Sequence, residues 1–125
     1  MATRGDAHRH RDRVSRLLRV LLDEVVPRAL ARALEPHVAE HADQRGWLGV
    51  QNGELLRLAQ DAGFEAFVTL DTGIPFQQNI AEHGIAVIIL QLPAQGKAIV
   101  LAAAPDIISA LDFALPGSVT YVKGK

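Results

Sequence analysis

Two acidic residues follow short apolar runs in this chain, and together they could bind a divalent cation. Asp23 comes directly after Leu21-Leu22, and Asp71 comes directly after Val68-Thr69-Leu70. If each run is a buried strand of a parallel sheet, both carboxylates lie at strand carboxyl ends, where α/β sheets bind their ligands. Carboxylate oxygens suit hard cations such as Mg²⁺ and Mn²⁺. These residues therefore predict a Mg²⁺ or Mn²⁺ site, and metal-assisted phosphodiester hydrolysis is the chemistry that such a site performs.

Two further acids are candidate ligands of the same cation. Glu54 lies in the first turn of a predicted helix, after a glycine-rich loop, and Glu24 follows Asp23 directly. We take Asp23, Glu54 and Asp71 as candidate catalytic residues, and these three with Glu24 as candidate metal ligands. Each acid also has a purely structural alternative. An acid before a helix or in its first turn stabilises the helix dipole, and aspartate is common in turns such as Asp71-Thr72-Gly73.

Composition limits the kinds of protein this chain can be. Its 125 residues fit one domain with its own core, and the absence of cysteine excludes disulfides, thiolate metal sites and cysteine nucleophiles. The formal net charge is −1, so the chain as a whole is not a basic nucleic-acid binder. Arginines are concentrated before residue 17, which predicts a basic, disordered tail at residues 1–18 and a folded domain at residues 19–123.

The apolar segments are all short. None approaches the ~20 residues that a membrane-spanning helix needs. No signal-peptide pattern follows the basic start of the chain. We therefore expect no membrane partner and a cytoplasmic location.

Apolar runs and turn residues divide the domain into alternating strands and helices. The predicted strands are 19–22, 37–42, 67–70, 85–90 and 118–122, and the predicted helices are 27–36, 52–63, 75–84 and 97–114. Asn52 is a plausible N-cap of the second helix, and Pro105 either kinks the last helix or opens its second half. Strict alternation with short loops predicts an α/β fold with about five mostly parallel strands and helices on both faces.

Several short motifs, in this order and spacing, resemble a bacterial family of small PIN-like proteins. The resemblance extends from about Arg19 to Val122. The motifs are Arg19-Val-Leu-Leu-Asp-Glu-x-x-Pro27, Gly46-Trp-x-Gly49, Asn52-Gly-Glu-Leu-Leu56, Ala62-Gly-Phe-x-x-x-Val-Thr-Leu-Asp71, Ile74-Pro-Phe-Gln-Gln-Asn79 and Gly84-Ile-Ala-Val-Ile-Ile-Leu90.

This resemblance implies a PIN-like three-layer sandwich that cuts RNA with a divalent metal. Many proteins of this kind are toxins that a small antitoxin protein neutralises, so an antitoxin is an expected partner. Asp23 matches the acid of the first strand, Glu54 the acid of the middle motif and Asp71 the acid of the third-strand motif.

The chain also departs from the family pattern. Val25 replaces a frequent asparagine, Asn52 stands where some relatives have an acid, and Thr72 replaces a frequent basic residue. Gln91 follows the Ile85 strand, where PIN nucleases usually carry a fourth acid. A catalytically weak or inactive PIN-like module that binds a partner protein or RNA is therefore the alternative. A homodimer packed through the alanine-rich stretch 97–114 is a further expectation.

Overall fold

Five parallel strands form one central sheet in the computed structural model, which describes residues 17–124. Residues 1–16 of the predicted tail lie outside the described residues. The strands, in sheet order β2-β1-β3-β4-β5, all pair in parallel. Their bounds are β1 Arg19–Leu22, β2 Val38–His41, β3 Ala66–Thr69, β4 Ala86–Gln91 and β5 Val119–Lys123. The predicted α/β class and the five-stranded sheet are confirmed.

Helices and 3₁₀ turns connect every pair of consecutive strands, as the predicted alternation requires. The helices are α1 Leu30–Ala33, α2 Asn52–Asp61, α3 Ile74–Gln77, α4 Lys97–Ala102 and α5 Ala104–Asp112, and the 3₁₀ turns are Ala42–Arg45 and Ile80–Glu82. Several are shorter than predicted. The stretch predicted as one helix at 75–84 breaks at Gln78, whose backbone is extended. Pro105 lies in the first turn of α5, so it opens a second helix and does not kink a continuous one.

Side chains alternate between the two faces of the sheet and give two separate cores. Leu22 of β1 and Val68 of β3 pack in one core, beneath α1, α4 and α5. Leu21 and Phe67, the neighbouring residues, pack in the other core, beneath α2 and α3. Because both faces are covered, the central strands β1, β3 and β4 are apolar except at Arg19, Thr69 and Gln91, and they carry no polar face. The predicted three-layer sandwich is confirmed.

The sheet order places the most favourable ligand position between β1 and β3. The helix after β1 lies on one face and the helix after β2 on the other, so the chain changes direction at this pair of strands. In open parallel sheets, ligands bind in the crevice at the strand carboxyl ends where this change occurs. Asp23 and Asp71 follow these two strands.

The described helices are also short. Within residues 17–124, no helix combines the length and the apolar character needed to cross a membrane.

Candidate carboxylate site at the strand ends

Asp23 continues the pairing of β1 with β3 by one residue. Leu22 lies opposite Val68 in the register, and the Asp23 amide donates to the Val68 carbonyl at 3.0 Å. Its side chain is 7% exposed. One carboxylate oxygen accepts from the Glu24 amide at 2.8 Å and the other from the Thr69 hydroxyl at 2.7 Å. The carboxylate is therefore held in one orientation at the end of β1.

Thr69 joins the two predicted acids through a single hydroxyl group. Its side chain is fully buried, and its Oγ1 donates to Asp23 Oδ2 while accepting from the Asp71 amide at 3.0 Å. A hydroxyl group has one proton and two lone pairs, so it can make both bonds at once. Sequence analysis missed this role. The available signal was a hydroxyl between Val68 and Leu70 in a strand predicted to be buried, where a polar group needs a partner.

Asp71 is held by residues on both sides of the site. Its Oδ1 accepts from the Gly73 amide at 2.9 Å, which is the turn-forming role considered as its structural alternative. Its Oδ2 accepts from the Asn52 side-chain amide at 2.6 Å. Asn52 was predicted as the N-cap of α2, and this prediction is wrong. Gln51 occupies the N-cap position, while Asn52 lies inside the helix and reaches across to Asp71.

An open cavity of about 620 Å³ lies at these strand ends. Asp23, Glu24 and Asp71 all line it, together with Asn52 and the two glutamines that follow Phe76. The structure therefore brings three of the four candidate acids to one cavity. These two glutamines are Gln77 and Gln78.

Glu24 reaches this cavity from its rim. The side chain is exposed, and its Oε1 accepts from the Gly49 amide at 2.7 Å. Gly49 has a φ of 80°, a conformation that residues with a Cβ rarely adopt, so the loop shape that offers this N–H depends on glycine. Glu24 therefore ties the loop before α2 to the end of β1.

Glu54 lies outside the lining of this cavity. Its side chain is exposed on α2 and forms an ion pair with Arg57, one helical turn along. The structure thus brings Asp23, Asp71 and Glu24 together and leaves Glu54 apart from them. Within the described part of the chain, no group of three or more histidines, aspartates or glutamates is placed to hold a metal ion.

The carboxylates at the strand ends still suit one kind of metal site. Mg²⁺ is often bound by only one or two carboxylates, with water and substrate phosphates completing its octahedron. Each carboxylate oxygen of Asp23 and Asp71 accepts one hydrogen bond in the structure, and an ionised carboxylate has about four acceptor positions. Lone pairs are thus left for a cation. The donor set fits a cation that is shared with a phosphate substrate.

The environment of Asp23 disfavours its charged form. Burial raises the pKa of its carboxyl, and the negative charges of Glu24 and Asp71 raise it further. Hydrogen bonds from the Thr69 hydroxyl and the Glu24 amide oppose this shift without cancelling it. A bound cation would relieve the same unfavourable charge, so the site is electrostatically suited to one.

The raised pKa of Asp23 leads to a testable dependence of stability on pH. In the unfolded chain the carboxyl titrates near its ordinary value of 3.8, and in the folded chain it titrates higher. Between the two values the folded state binds more protons, so stability falls as pH rises through this window. We expect the free energy of unfolding of the wild type, relative to Asp23→Asn, to decrease with rising pH in urea titrations without metal. A difference that is constant with pH would contradict this assignment.

His41 contacts the segment that follows Asp23. It is buried at the end of β2, and its Nε2 lies 2.7 Å from the Val26 carbonyl, while its Nδ1 lies 3.0 Å from Asp43 Oδ1. The ring thus connects the segment after Asp23 to the neighbouring strand. Its sequence spacing gave no sign of this role.

Comparison with known proteins gives no match: no protein-family model, no curated protein and no solved structure is similar to this chain at a significant level. Function is therefore inferred from the residues of the site and their geometry.

Proposed function

We propose that this protein is a Mg²⁺- or Mn²⁺-dependent endoribonuclease whose catalytic centre is the cavity at the ends of β1 and β3. The main support is the convergence of Asp23 and Asp71 on that cavity, at the position where parallel sheets bind ligands. The sequence motifs that resemble those of PIN-like proteins favour RNA as the substrate. A cytoplasmic location, where RNA is present, belongs to the same proposal.

The residues of the chain have distinct parts in this proposal. Asp23 and Asp71 would hold the cation, with Glu24 contributing from the rim. The cation would polarise the phosphodiester and make water a better nucleophile. Thr69 and Asn52 would keep the two aspartates in a fixed orientation through the hydrogen bonds described above. Held in this way, the carboxylates need little rearrangement when substrate binds.

The proposal is tested by RNA cleavage measured across a titration with Mg²⁺ or Mn²⁺. We expect internal cleavage products from a long single-stranded RNA to appear with either ion and to disappear when a chelator is added. Excess ion added after the chelator should restore cleavage, which controls for irreversible loss of the protein. An absence of products over the whole titration would contradict the proposal.

A second function has its own structural support. Glu54 pairs with Arg57 away from the cavity, and an amide, Asn52, stands beside Asp71 where an additional acid would strengthen metal binding. These features favour a PIN-like module that binds RNA or a partner protein without cutting RNA. Calorimetric titration with Mn²⁺ separates the two functions. A folded protein that binds RNA or a partner, but does not bind Mn²⁺ and does not cleave RNA, would support the module.

A further inference from the structure

Phe76 is the most exposed large apolar side chain of the described residues, at 88%. A single exposed apolar residue is ordinary on a protein surface, so exposure alone carries no conclusion. Its position is informative, however. Phe76 belongs to the short helix α3, and the next two residues, Gln77 and Gln78, line the carboxylate cavity. An uncovered aromatic ring thus lies beside the proposed catalytic centre.

Three cavities around this centre share lining residues. The carboxylate cavity shares Gln77 and Gln78 with a cavity of about 520 Å³ that Phe76 lines. It shares Leu70 and Gln95 with another cavity, of about 650 Å³, that Lys123 lines. We call these three cavities the strand-end groove. Its lining includes Phe76, the two aspartates and Lys123 at the end of β5, and on the Phe76 side it continues to Gly117 and Val119 beside the start of β5.

The lining of the strand-end groove is rich in uncharged amides and poor in positive charge. Asn52, Gln77, Gln78 and Gln95 are among its amides, and such groups both donate to phosphates and base edges and accept from bases. Of the described residues that line the groove, Lys123 alone is basic. Because the same lining carries the acids Asp23, Glu24 and Asp71, it does not neutralise phosphates unless a cation is bound. Contacts with the bases must supply more of the affinity for a nucleic acid.

We propose that the strand-end groove binds single-stranded RNA, with one base stacked on Phe76 and a backbone phosphate beside Lys123. This inference rests on the proposed function, since the scissile phosphodiester would lie between these two contacts. Unpaired bases can stack on an exposed aromatic ring, whereas the bases of a duplex are already stacked and paired. The groove thus selects single strands by stacking, and the amides contact the backbone and the base edges between Phe76 and Lys123.

The experiment measures binding without cleavage, in an Asp71→Asn background with Mg²⁺ present. The probe is a short fluorescein-labelled oligoadenylate, followed by fluorescence anisotropy. We expect Phe76→Ala to weaken binding by about five- to 150-fold, the effect of losing one stacked base. Phe76→Trp should retain the affinity, because it keeps the stacking surface.

A matched control is Phe113→Ala, which removes another exposed ring, 67% exposed, that does not line the groove. It should leave affinity within about twofold of the parent, as surface substitutions usually do.

Two further readouts distinguish stacking from a general loss of binding. A 2-aminopurine base in the oligonucleotide should be quenched on binding, and Phe76→Ala should abolish that quenching. Lys123→Gln should make the dependence of log affinity on log salt shallower by about 0.7, the value for one phosphate of a single strand. Phe76→Ala should weaken binding at every salt concentration and leave this slope unchanged.

The possible failures are separable. If Phe76→Ala binds oligoadenylate as the parent does, or if Phe113→Ala loses as much, the inference is overturned. Equal affinity for the oligonucleotide and its duplex would overturn it as well. If binding depends on Phe76 but the wild type never cleaves RNA, the endoribonuclease proposal fails and the RNA groove stands.

Discussion

Asp71→Asn is expected to lower the rate of metal-dependent RNA cleavage by about 100-fold or more, which corresponds to at least ~2.7 kcal/mol of transition-state stabilisation. The substitution keeps the shape of the side chain and removes its negative charge, so a cation loses one of its two strand-end ligands. The fold should tolerate it. The Asn52 amide, which donates to Asp71 Oδ2, can turn over and accept from the new amide instead. The measurement is the single-turnover cleavage rate at saturating Mn²⁺, with circular dichroism to show that the variant is folded.

Asp23→Asn should remove activity to a similar extent but is a less clean variant. Thr69 donates to the Asp23 carboxylate and accepts from the Asp71 amide. If the NH₂ group of the new asparagine faced Thr69, the threonine hydroxyl proton would have no acceptor. Part of any effect of this variant would then be structural. For this reason Asp71→Asn carries the test, and Asp23→Asn supports it.

Glu54→Gln is the matched control for Asp71→Asn. It removes one carboxylate of the set expected from the sequence, at a position outside the cavity lining. Only the exposed ion pair with Arg57 is lost, and such pairs contribute ~0.2–1 kcal/mol to stability. We expect cleavage within about twofold of the wild type, as for other surface substitutions. If Glu54→Gln instead loses as much activity as Asp71→Asn, Glu54 enters the site in solution and the assignment made from the geometry is wrong.

The sheet could be predicted from the sequence because its signal is local. Each buried strand is a short apolar run bounded by turn residues, as at Arg19–Leu22 and Ala86–Gln91, and strict alternation with helices leaves few arrangements of the chain. Helix lengths were harder to predict. No proline or glycine adjoins the break at Gln78, and nothing in the spacing of apolar residues marks it.

The site itself depends on cross-strand register, which the sequence does not reveal. Asp23 and Asp71 were identified because both follow apolar runs. Thr69 lies beside Asp23 because Leu22 pairs with Val68. This register is decided by packing between strands that are 46 positions apart in the sequence. Glu54 and Asn52 show the same limit. Both lie at the start of α2, only two positions apart, but Asn52 reaches Asp71 while Glu54 faces solvent and Arg57.

Thr69→Val is the second variant with a large expected effect, because it removes the hydroxyl that joins the two aspartates. The shape of the side chain is nearly unchanged, but Asp23 loses a donor and the Asp71 amide loses its acceptor. Each loss leaves a polar group short of a partner, so we expect the free energy of unfolding to fall by about 1–3 kcal/mol. The Thr69 hydrogen bond lowers the pKa of Asp23, so its loss should raise that pKa further. The decrease in stability with rising pH should therefore continue to a higher pH in Thr69→Val than in the wild type.

Cleavage by Thr69→Val should fall as well, by about tenfold or more, since the Asp23 carboxylate loses a hydrogen bond that orients it and the Asp71 backbone amide loses its acceptor. Thr69→Ser keeps the hydroxyl and loses only a methyl group, so it should restore cleavage and the wild-type pH dependence at a cost of about 0.8 kcal/mol. Thr72→Val makes the same chemical change at an exposed position and controls for the stability measurement. If Thr69→Val matches the wild type in both cleavage and pH dependence, the hydroxyl does not organise the two aspartates. If Thr69→Ser fails like Thr69→Val, the methyl group is what the site needs, and Thr69 acts through packing alone.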